Sequence, residues 1–284
     1  MTNHLFFARE IPESFYWAGF IAADGCVFEN KNGSKYTRLA LSIKDLEHIN
    51  LFKNTVRYGG KISITSKTDD YGKRSFAGIA IYSKQWFQDL SKFNIVPNKT
   101  FIYKMPEWLK SHEYLHHFLR GYVDGDGSFW HTTPKNNRIV KQLGFNICGT
   151  YEFIQQCCEI FHHQCKLKLK TPRQNKSIYT LEYVGNNITT NIKDFLYKNA
   201  KTSLNRKYKI AFEHIDKTRN NCKKVVGTNI LDNTSITFNS VNATAEYGFS
   251  PQLVSKCCLG IRNSHKGYRF KHMDKIQQQL IGDK

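Results

Sequence analysis

The sequence predicts an α+β fold made of a duplicated αββαββα unit, followed by a small helix-turn-helix-like module. Three observations carry this. Two short stretches, Trp17–Gly25 and Leu119–Gly127, each read as the closing turns of a helix that stops at an acidic residue followed by glycine. Their acids, Asp24 and Asp126, are 126 − 24 = 102 residues apart, and each stretch heads a similar succession of alternating and helical segments. Beyond Asp216 the composition shifts toward Lys, Asn, Ser and Thr. The expected divisions are residues 1–104 and 105–215 for the two halves and 216–284 for a linker and module.

In the first half, Pro12 opens a helix at its first turn, with Glu13 favourable beside the positive helix end. Gly19 and Ala23, four apart, share one helix face, and Trp17, Phe20 and Ile21 point away from it. Gly121 and Gly125 repeat that spacing in the second stretch. Faces this bare let two backbones approach closely, so the two helices are expected to pack on each other and end side by side. Leu39, Leu41 and Ile43 then alternate with Arg38, Ala40 and Ser42. Asp45 is placed to cap a helix carrying Leu46, Ile49 and Phe52. Lys61–Lys67 and Ser75–Tyr82 read as strands about a turn at Asp69–Lys73, and a helix over Lys84–Phe93 closes the unit.

In the second half, Ser111 is the expected cap of a helix running to Gly127 through Leu115, Phe118, Leu119 and Tyr122. A strand pair follows about Thr133–Asn137, with Leu143, Phe145 and Ile147 on one face and Arg138, Gln142 and Asn146 on the other. Thr150 caps a helix through Phe153, Ile154 and Ile160. Lys166–Lys170 alternates as a strand, with Leu167 and Leu169 inward and Lys166, Lys168 and Lys170 outward. Pro172–Lys176 turns, Ser177–Val184 returns as a strand, and Ile188–Leu196 is helical, as is Leu204–Ile215. After a linker at Asp216–Lys224, Val225–Ile230 and Thr234–Phe238 form a hairpin. Ser240–Tyr247 and Ser250–Leu259, separated by Gly248, have the layout of a helix-turn-helix, and Gly267–Phe270 reads as a last strand.

Charge narrows the class of partner. The chain carries 42 Lys+Arg against 23 Asp+Glu, formally +19, which points to a polyanion and most directly to nucleic acid. The basic residues are interleaved with apolar ones, as on the surfaces of folded elements rather than in a tail. Residues 217–284 alone hold 11 Lys+Arg and 4 Asp+Glu, a net of 11 − 4 = +7. No apolar run approaches the ~20 residues needed to span a bilayer, and Met1–Glu10 lacks the layout of a signal peptide. The expected location is therefore cytoplasmic, an organellar matrix or a phage-infected host cell, not a secreted one. Eight cysteines form no C-x-x-C pair. Cys157, Cys158, His162, His163 and Cys165 are the one zinc candidate, against a reading as buried free thiols in a reducing compartment.

Two adjacent carboxylates in so basic a chain suggest a metal site facing an anion. Asp24 and Asp126 would meet at the base of the helix seam, where an unpaired acid at a helix C-terminus is electrostatically unfavourable without a cation. The outward strand sets Arg38 and Ser42; Lys61, Ser63, Thr65 and Lys67; Arg138, Gln142 and Asn146; and Lys166, Lys168 and Lys170, with Arg173 in the following turn, suit a two-sheet reader of the major groove. In the tail, Gln252, Ser255 and Lys256 would reach bases from the second helix.

WAGFIAADG and LRGYVDGDG resemble the two signature helices of a monomeric LAGLIDADG homing endonuclease, over roughly residues 11–215. The resemblance implies a pseudo-symmetric pair of halves with a saddle of two antiparallel sheets over double-stranded DNA, working as a monomer. It also implies that Asp24 and Asp126 hold a divalent cation, Mg²⁺ or another such as Mn²⁺, with the backbone carbonyls of Ala23 and Gly125. A basic residue is implied near each active centre. Lys99, in Pro97-Asn98-Lys99-Thr100, matches that position, and Lys201 lies 201 − 99 = 102 residues on, with Lys207 as its competitor. The segment from Val226 to Tyr268 is similar to the modular DNA-binding repeats, of NUMOD type, found behind intron-encoded nucleases.

The expected activity is site-specific hydrolysis of double-stranded DNA at a long, non-palindromic target, by an intron-encoded enzyme. Two other classes compete: an RNA-binding maturase that acts on host intron RNA, and a DNA-binding regulator on an inactive version of the fold. The presence of both aspartates disfavours the regulator.

Overall fold

The structure is a computed structural model and describes residues 1–70, 72–132, 142–213 and 223–273. The chain divides into two compact units, residues 1–214 and 215–284. The turn expected at Thr133–Asn137, Arg138, Cys222 and most of the linker expected over Asp216–Lys224 lie outside the described residues.

The first unit opens on α1 (Pro12–Ala23), with Pro12 in its first turn as its fixed φ favours. Ser14 through Ala22 are all buried, so this helix is enclosed on every side rather than along one stripe. Strands β1 (Gly25–Glu29) and β2 (Lys35–Ser42) follow, then α2 (Leu46–Thr55), β3 (Ser63–Asp69), β4 (Gly72–Tyr82) and α3 (Lys84–Ser91). The strands form an antiparallel sheet in the order β1-β2-β4-β3.

The second half repeats the pattern. A short helix α4 (Glu107–Lys110) precedes α5 (Leu115–Asp126). Then come β5 (Gly127–His131), β6 (Leu143–Gly149), α6 (Tyr151–Cys165), β7 (Arg173–Asn175), β8 (Ile178–Val184), α7 (Asn186–Leu196) and α8 (Asn205–Glu213). The sheet order is β5-β6-β8-β7, the counterpart of the first sheet. One hydrophobic core runs through both halves, and the inward strand residues Leu39, Ile79, Phe145 and Leu181 share it with both motif helices.

The helix seam follows the repeat closely. A Cβ on Gly19 would lie 1.9 Å from the Phe118 carbonyl oxygen, and one on Gly121 would lie 1.9 Å from that of Tyr16. Tyr16 and Phe118 are themselves 102 residues apart, so each half offers its bare position to the same backbone group of the other. Only glycine permits this approach.

Four local expectations change. Ser111 does not cap α5: it is the C-cap of α4, and α5 begins after Tyr114, whose amide donates to His112 Nδ1 at 3.1 Å. The Trp108 indole donates to the Lys92 carbonyl and packs on Phe15 and Phe93, which holds α4 as a separate turn. The Asp45 carboxylate makes no bond to the α2 amides, because Arg206 takes both its oxygens, at 2.8 and 3.1 Å. Lys166–Lys170 is not a strand. Helix α6 runs to Cys165, Lys166 caps it at a left-handed φ of 54°, and Leu169 is 54% exposed, while the strand falls at Arg173–Asn175 where a turn was expected. The cysteines keep their expected state: Cys157, Cys158 and Cys165 are buried free thiols, pushed up by burial, Cys158 to about 11 and Cys165 to about 12.

The second unit has its own small core of Val225, Phe238, Phe249, Val254, Cys257, Cys258 and Phe270. Strands β9 (Val225–Asn229), β10 (Ser235–Phe238) and β11 (Tyr268–His272) make a sheet in the order β10-β9-β11. A 3-10 turn at Asn242–Tyr247 stands where the first helix of the pair was expected. Gly248 then turns at φ 78°, and α9 (Pro251–Cys258) packs on the sheet.

Candidate active site and nucleic-acid interface

Helices α1 and α5 end together. A Cβ on Gly125 would lie 2.4 Å from the Ala23 Cβ and 3.4 Å from Asp24 Oδ2, so the last turns are in contact and their acids are neighbours. Asp24 and Asp126 are exposed at the mouth of the seam, with protein crowding their other sides. Both carboxyls are pushed up. For Asp24, at about 6, desolvation is the largest cause and the charge of Asp126 the second. For Asp126 desolvation again leads, opposed by Lys99 and then Lys207. Two acids that repel each other while open to solvent form a place where a cation is favoured.

The two lysines facing them are buried. Lys99 begins a 3-10 turn after Asn98, and its ammonium donates to the Ala23 carbonyl at 3.4 Å. Lys207, in the first turn of α8, donates to the carbonyls of Val123, Asp124, Gly125 and Gly127 at 3.0, 2.7, 2.7 and 2.6 Å. These carbonyls lie at the end of α5, where Val123 also accepts from the Gly127 amide, so the ammonium caps the negative end of that helix. Desolvation lowers both lysines, Lys207 to about 8, and the carboxylates oppose the shift.

Lys201 does not reach this place. The Thr202 carbonyl beside it accepts from Arg120 Nε at 2.9 Å, and Lys201 lines a cleft of about 440 Å³ with Glu13, His116 and Arg120. Arg120 lies six residues before Asp126, about 9 Å along the helix axis. The repeat step changes after the third helix of the half: α7 is longer than α3, and the lysine that returns to the seam is 207 − 99 = 108 residues on.

Asp124 stands where the first motif has Ala22, and it is 1% exposed. Its Oδ2 accepts from the Tyr16 hydroxyl at 2.8 Å and from the Leu204 amide at 2.7 Å. The Tyr16 oxygen in turn accepts from His48 Nε2 at 2.9 Å. Desolvation pushes Asp124 up to about 6 and His48 down to about 4.

No family model matches the sequence, and no curated protein does. Solved structures do match. The homing endonuclease I-WcaI bound to its DNA recognition sequence aligns with a TM-score of 0.52 at 12% identity, over 69% of this chain and 85% of that one. The LAGLIDADG meganuclease I-AabMI bound to uncleaved DNA aligns at 0.47 and 12% identity, over 70% and 87%. The LAGLIDADG homing endonuclease I-GzeII in complex with its DNA target aligns at 0.45 and 15%, over 70% and 87%. This is the LAGLIDADG homing endonuclease fold. The likeness to I-WcaI is one of architecture.

Each sheet of the LAGLIDADG fold here has a core face and an open face. On the first, register aligns Arg38 with Cys26 and Ala80, Ser42 with Phe76, Thr65 with Phe76, and Lys67 with Arg74. Arg38, Ser63, Thr65 and Lys67 are exposed and Ser42 half-exposed on that face, with Lys61 exposed just before β3. The period-2 alternation also puts Phe28, Tyr36, Arg74 and Tyr82 there, residues the sequence reading passed over. Phe28 and Tyr36 stack at 4.8 Å.

Among the described residues the second open face is less basic. Asn146 pairs with Ser128 and Glu182, and its Oδ1 accepts from the Ser128 hydroxyl at 2.8 Å. Arg173 pairs with Thr180 on the same face, and Gln142 is exposed just before β6. The three lysines are placed differently. Tyr183, a core-face residue, donates to the Lys168 carbonyl at 3.4 Å, and the Lys170 ammonium sits 4.5 Å above its ring. That segment therefore packs behind the strand, not on the open face. On α9 of the second unit, Gln252 and Lys256 are exposed and Ser255 half-exposed, opposite the buried Val254, Cys257 and Cys258.

The donor set at the seam suits a hard cation. Among the described residues no three His, Cys, Asp or Glu side chains gather in a way that would hold a metal. The seam instead offers two carboxylates with neighbouring carbonyl oxygens. Mg²⁺ favours such a set, since it keeps several waters and binds through one or two carboxylates plus substrate phosphate.

Proposed function

We propose that this chain is a site-specific DNA endonuclease that hydrolyses phosphodiester bonds with a divalent cation, Mg²⁺ or Mn²⁺. The observation that carries the reading is the pair Asp24 and Asp126, adjacent, repelling and open to solvent at the foot of a glycine-packed helix seam. Asp24 and Asp126 would hold the cation, with the Ala23 and Gly125 carbonyls beside them. When bound, the cation supplies an activated water and neutralises the leaving oxygen. Lys99 adds positive charge at the site, and Lys207 does so while closing the end of α5.

Open basic and aromatic strand faces flank the seam and would follow a duplex groove, with Arg38, Lys67 and Arg173 at exposed positions. The faces differ between halves, which favours a non-palindromic target read by one chain. The second unit would add contacts through Gln252, Ser255 and Lys256 as a NUMOD-like module. Such an enzyme, intron-encoded, would act where its host DNA is, in cytoplasm or an organellar matrix. Among the described residues no helix is long and apolar enough to cross a membrane.

The test is direct. Purified chain is incubated with Mg²⁺ and DNA that spans the flanks of its reading frame. Cutting of both strands at one position is expected, and it is lost in Asp24→Asn and Asp126→Asn. Tight binding to the intron RNA without any DNA cleavage would replace this reading with the maturase one.

A further inference from the structure

The two halves hold their active-centre lysines unequally. Lys99 has a single long bond, 3.4 Å to the Ala23 carbonyl. Lys207 has four, all to the end of α5. The segment that delivers Lys207 is also tied down from within. Leu204, the residue before α8, donates its amide to Asp124 Oδ2 at 2.7 Å, and Tyr16 of the other half donates to the same oxygen at 2.8 Å. His48 braces Tyr16 from behind at 2.9 Å. In the first half the matching residue is Ala22, which has no atom to make such a tie.

We infer that Asp124 is a positioning residue for Lys207, and that it makes the two strand-cutting centres unequal. Asp124 is buried and does not reach the solvent mouth. It fixes the start of α8 three residues before the ammonium, so Lys207 is preorganised while Lys99 must settle when DNA arrives. The consequence for cutting rests on the endonuclease reading above. It predicts that one strand of the target is cut faster than the other.

The experiment uses the full chain and a duplex carrying its own target, labelled on one strand or the other. In Asp124→Ala, single-turnover cutting of the faster strand should fall by at least ~10-fold, because sub-ångström placement of such groups controls rate. The slower strand and the target Kd should each stay within about 3-fold, a change near the scatter of neutral substitutions. Asp124→Asn keeps an oxygen for both donors and should restore the fast strand. Amide exchange of residues 204–207 should accelerate in Asp124→Ala, with no change at residues 19–21 in the seam. If Asp124→Ala does not fold, Tyr16→Phe removes one of the two bonds and should give a smaller loss on the same strand. Equal loss on both strands overturns the inference, as does unchanged exchange at 204–207. If the wild-type chain cuts neither strand, the endonuclease reading fails, and the exchange arm still decides whether Asp124 holds Lys207 in place.

Discussion

The Lys207 ammonium lies 2.7 Å from the carbonyl oxygen of Gly125, one residue before Asp126. The same cation thus caps the end of α5 and carries its charge to the acids. Replacing it with methionine keeps the stem but takes a donor from the carbonyls of Asp124, Gly125 and Gly127 at a buried helix end, while Val123 keeps the Gly127 amide. An unsatisfied buried group costs about 1–3 kcal/mol, so Lys207→Met should destabilise the chain by roughly 2–4 kcal/mol in urea unfolding. Lys201→Met, on the cleft beside Arg120, should fall within about 0.5 kcal/mol of wild type. An equal effect of the two would mean that the lysine at the 102-residue step, not Lys207, is the partner of Lys99.

The seam makes a second prediction. Gly19→Ala and Gly121→Ala each drive a methyl to within 1.9 Å of a backbone oxygen on the opposite helix. Neither backbone can step aside without opening the contact between the halves. Overpacking in a rigid core costs about 1–3 kcal/mol, and a backbone clash should place both variants at or above the top of that range. Because the two contacts are related by the repeat, the two losses in thermal stability should be alike. A mild effect at either position would show that the helices are held apart by more than their glycines allow.

These two cases mark what could be read from the sequence. The seam was legible because Gly19, Ala23, Gly121 and Gly125 repeat at a fixed step, and helical spacing alone puts them on one face. The core-facing strand residues followed from period-2 alternation, as at Leu39 and Leu41 or Phe145 and Ile147. Lys207 was not legible as the stronger candidate, since a constant 102-residue step points to Lys201 and the longer α7 accounts for only part of the six-residue shift. Lys166–Lys170 misled for a related reason. Its alternation mimics a strand, but α6 consumes the residues before it and Lys166 spends itself as a left-handed cap. The tie from Asp124 to Leu204 spans 80 residues and depends on folding back. No local pattern encodes it beyond the bare fact that Asp124 faces Ala22 across the repeat.

His48 yields a pH prediction. Desolvation lowers it to about 4 in the folded chain, from an ordinary histidine value of 6.5. Between those values the unfolded chain binds the extra proton, so stability is full above about pH 6.5 and is lost as pH falls toward 4. Asp24 and Asp124, pushed up to about 6, act the other way and favour the folded chain as pH falls through that range. The wild-type slope is the net of these, so the difference between His48→Asn and wild type isolates the histidine. Relative to its own value at pH 7.5, the variant should retain about 2–3 kcal/mol more stability than wild type does at pH 4.5. Parallel curves would mean that His48 is protonated in place and that its bond to Tyr16 is not made by a neutral ring.

The second unit separates two kinds of contact. Gln252 and Lys256 share the exposed face of α9, four residues apart, but their chemistry differs. A lysine on phosphate releases counterions, so Lys256→Ala should weaken DNA binding at every sequence and reduce the slope of log K against log salt by about one. A glutamine on a base edge carries no counterion. Gln252→Ala should leave that slope unchanged and relax preference at one base position, at a cost of about 1–3 kcal/mol on the preferred target. Deleting residues 223–284 should weaken target binding and leave the cut position where it is, because the acids and their lysines belong to the first unit. Titrations at three salt concentrations, with target and scrambled duplexes, distinguish these outcomes. A cut that moves on deletion, or a slope that Lys256→Ala does not change, would show that α9 does not meet DNA in this way.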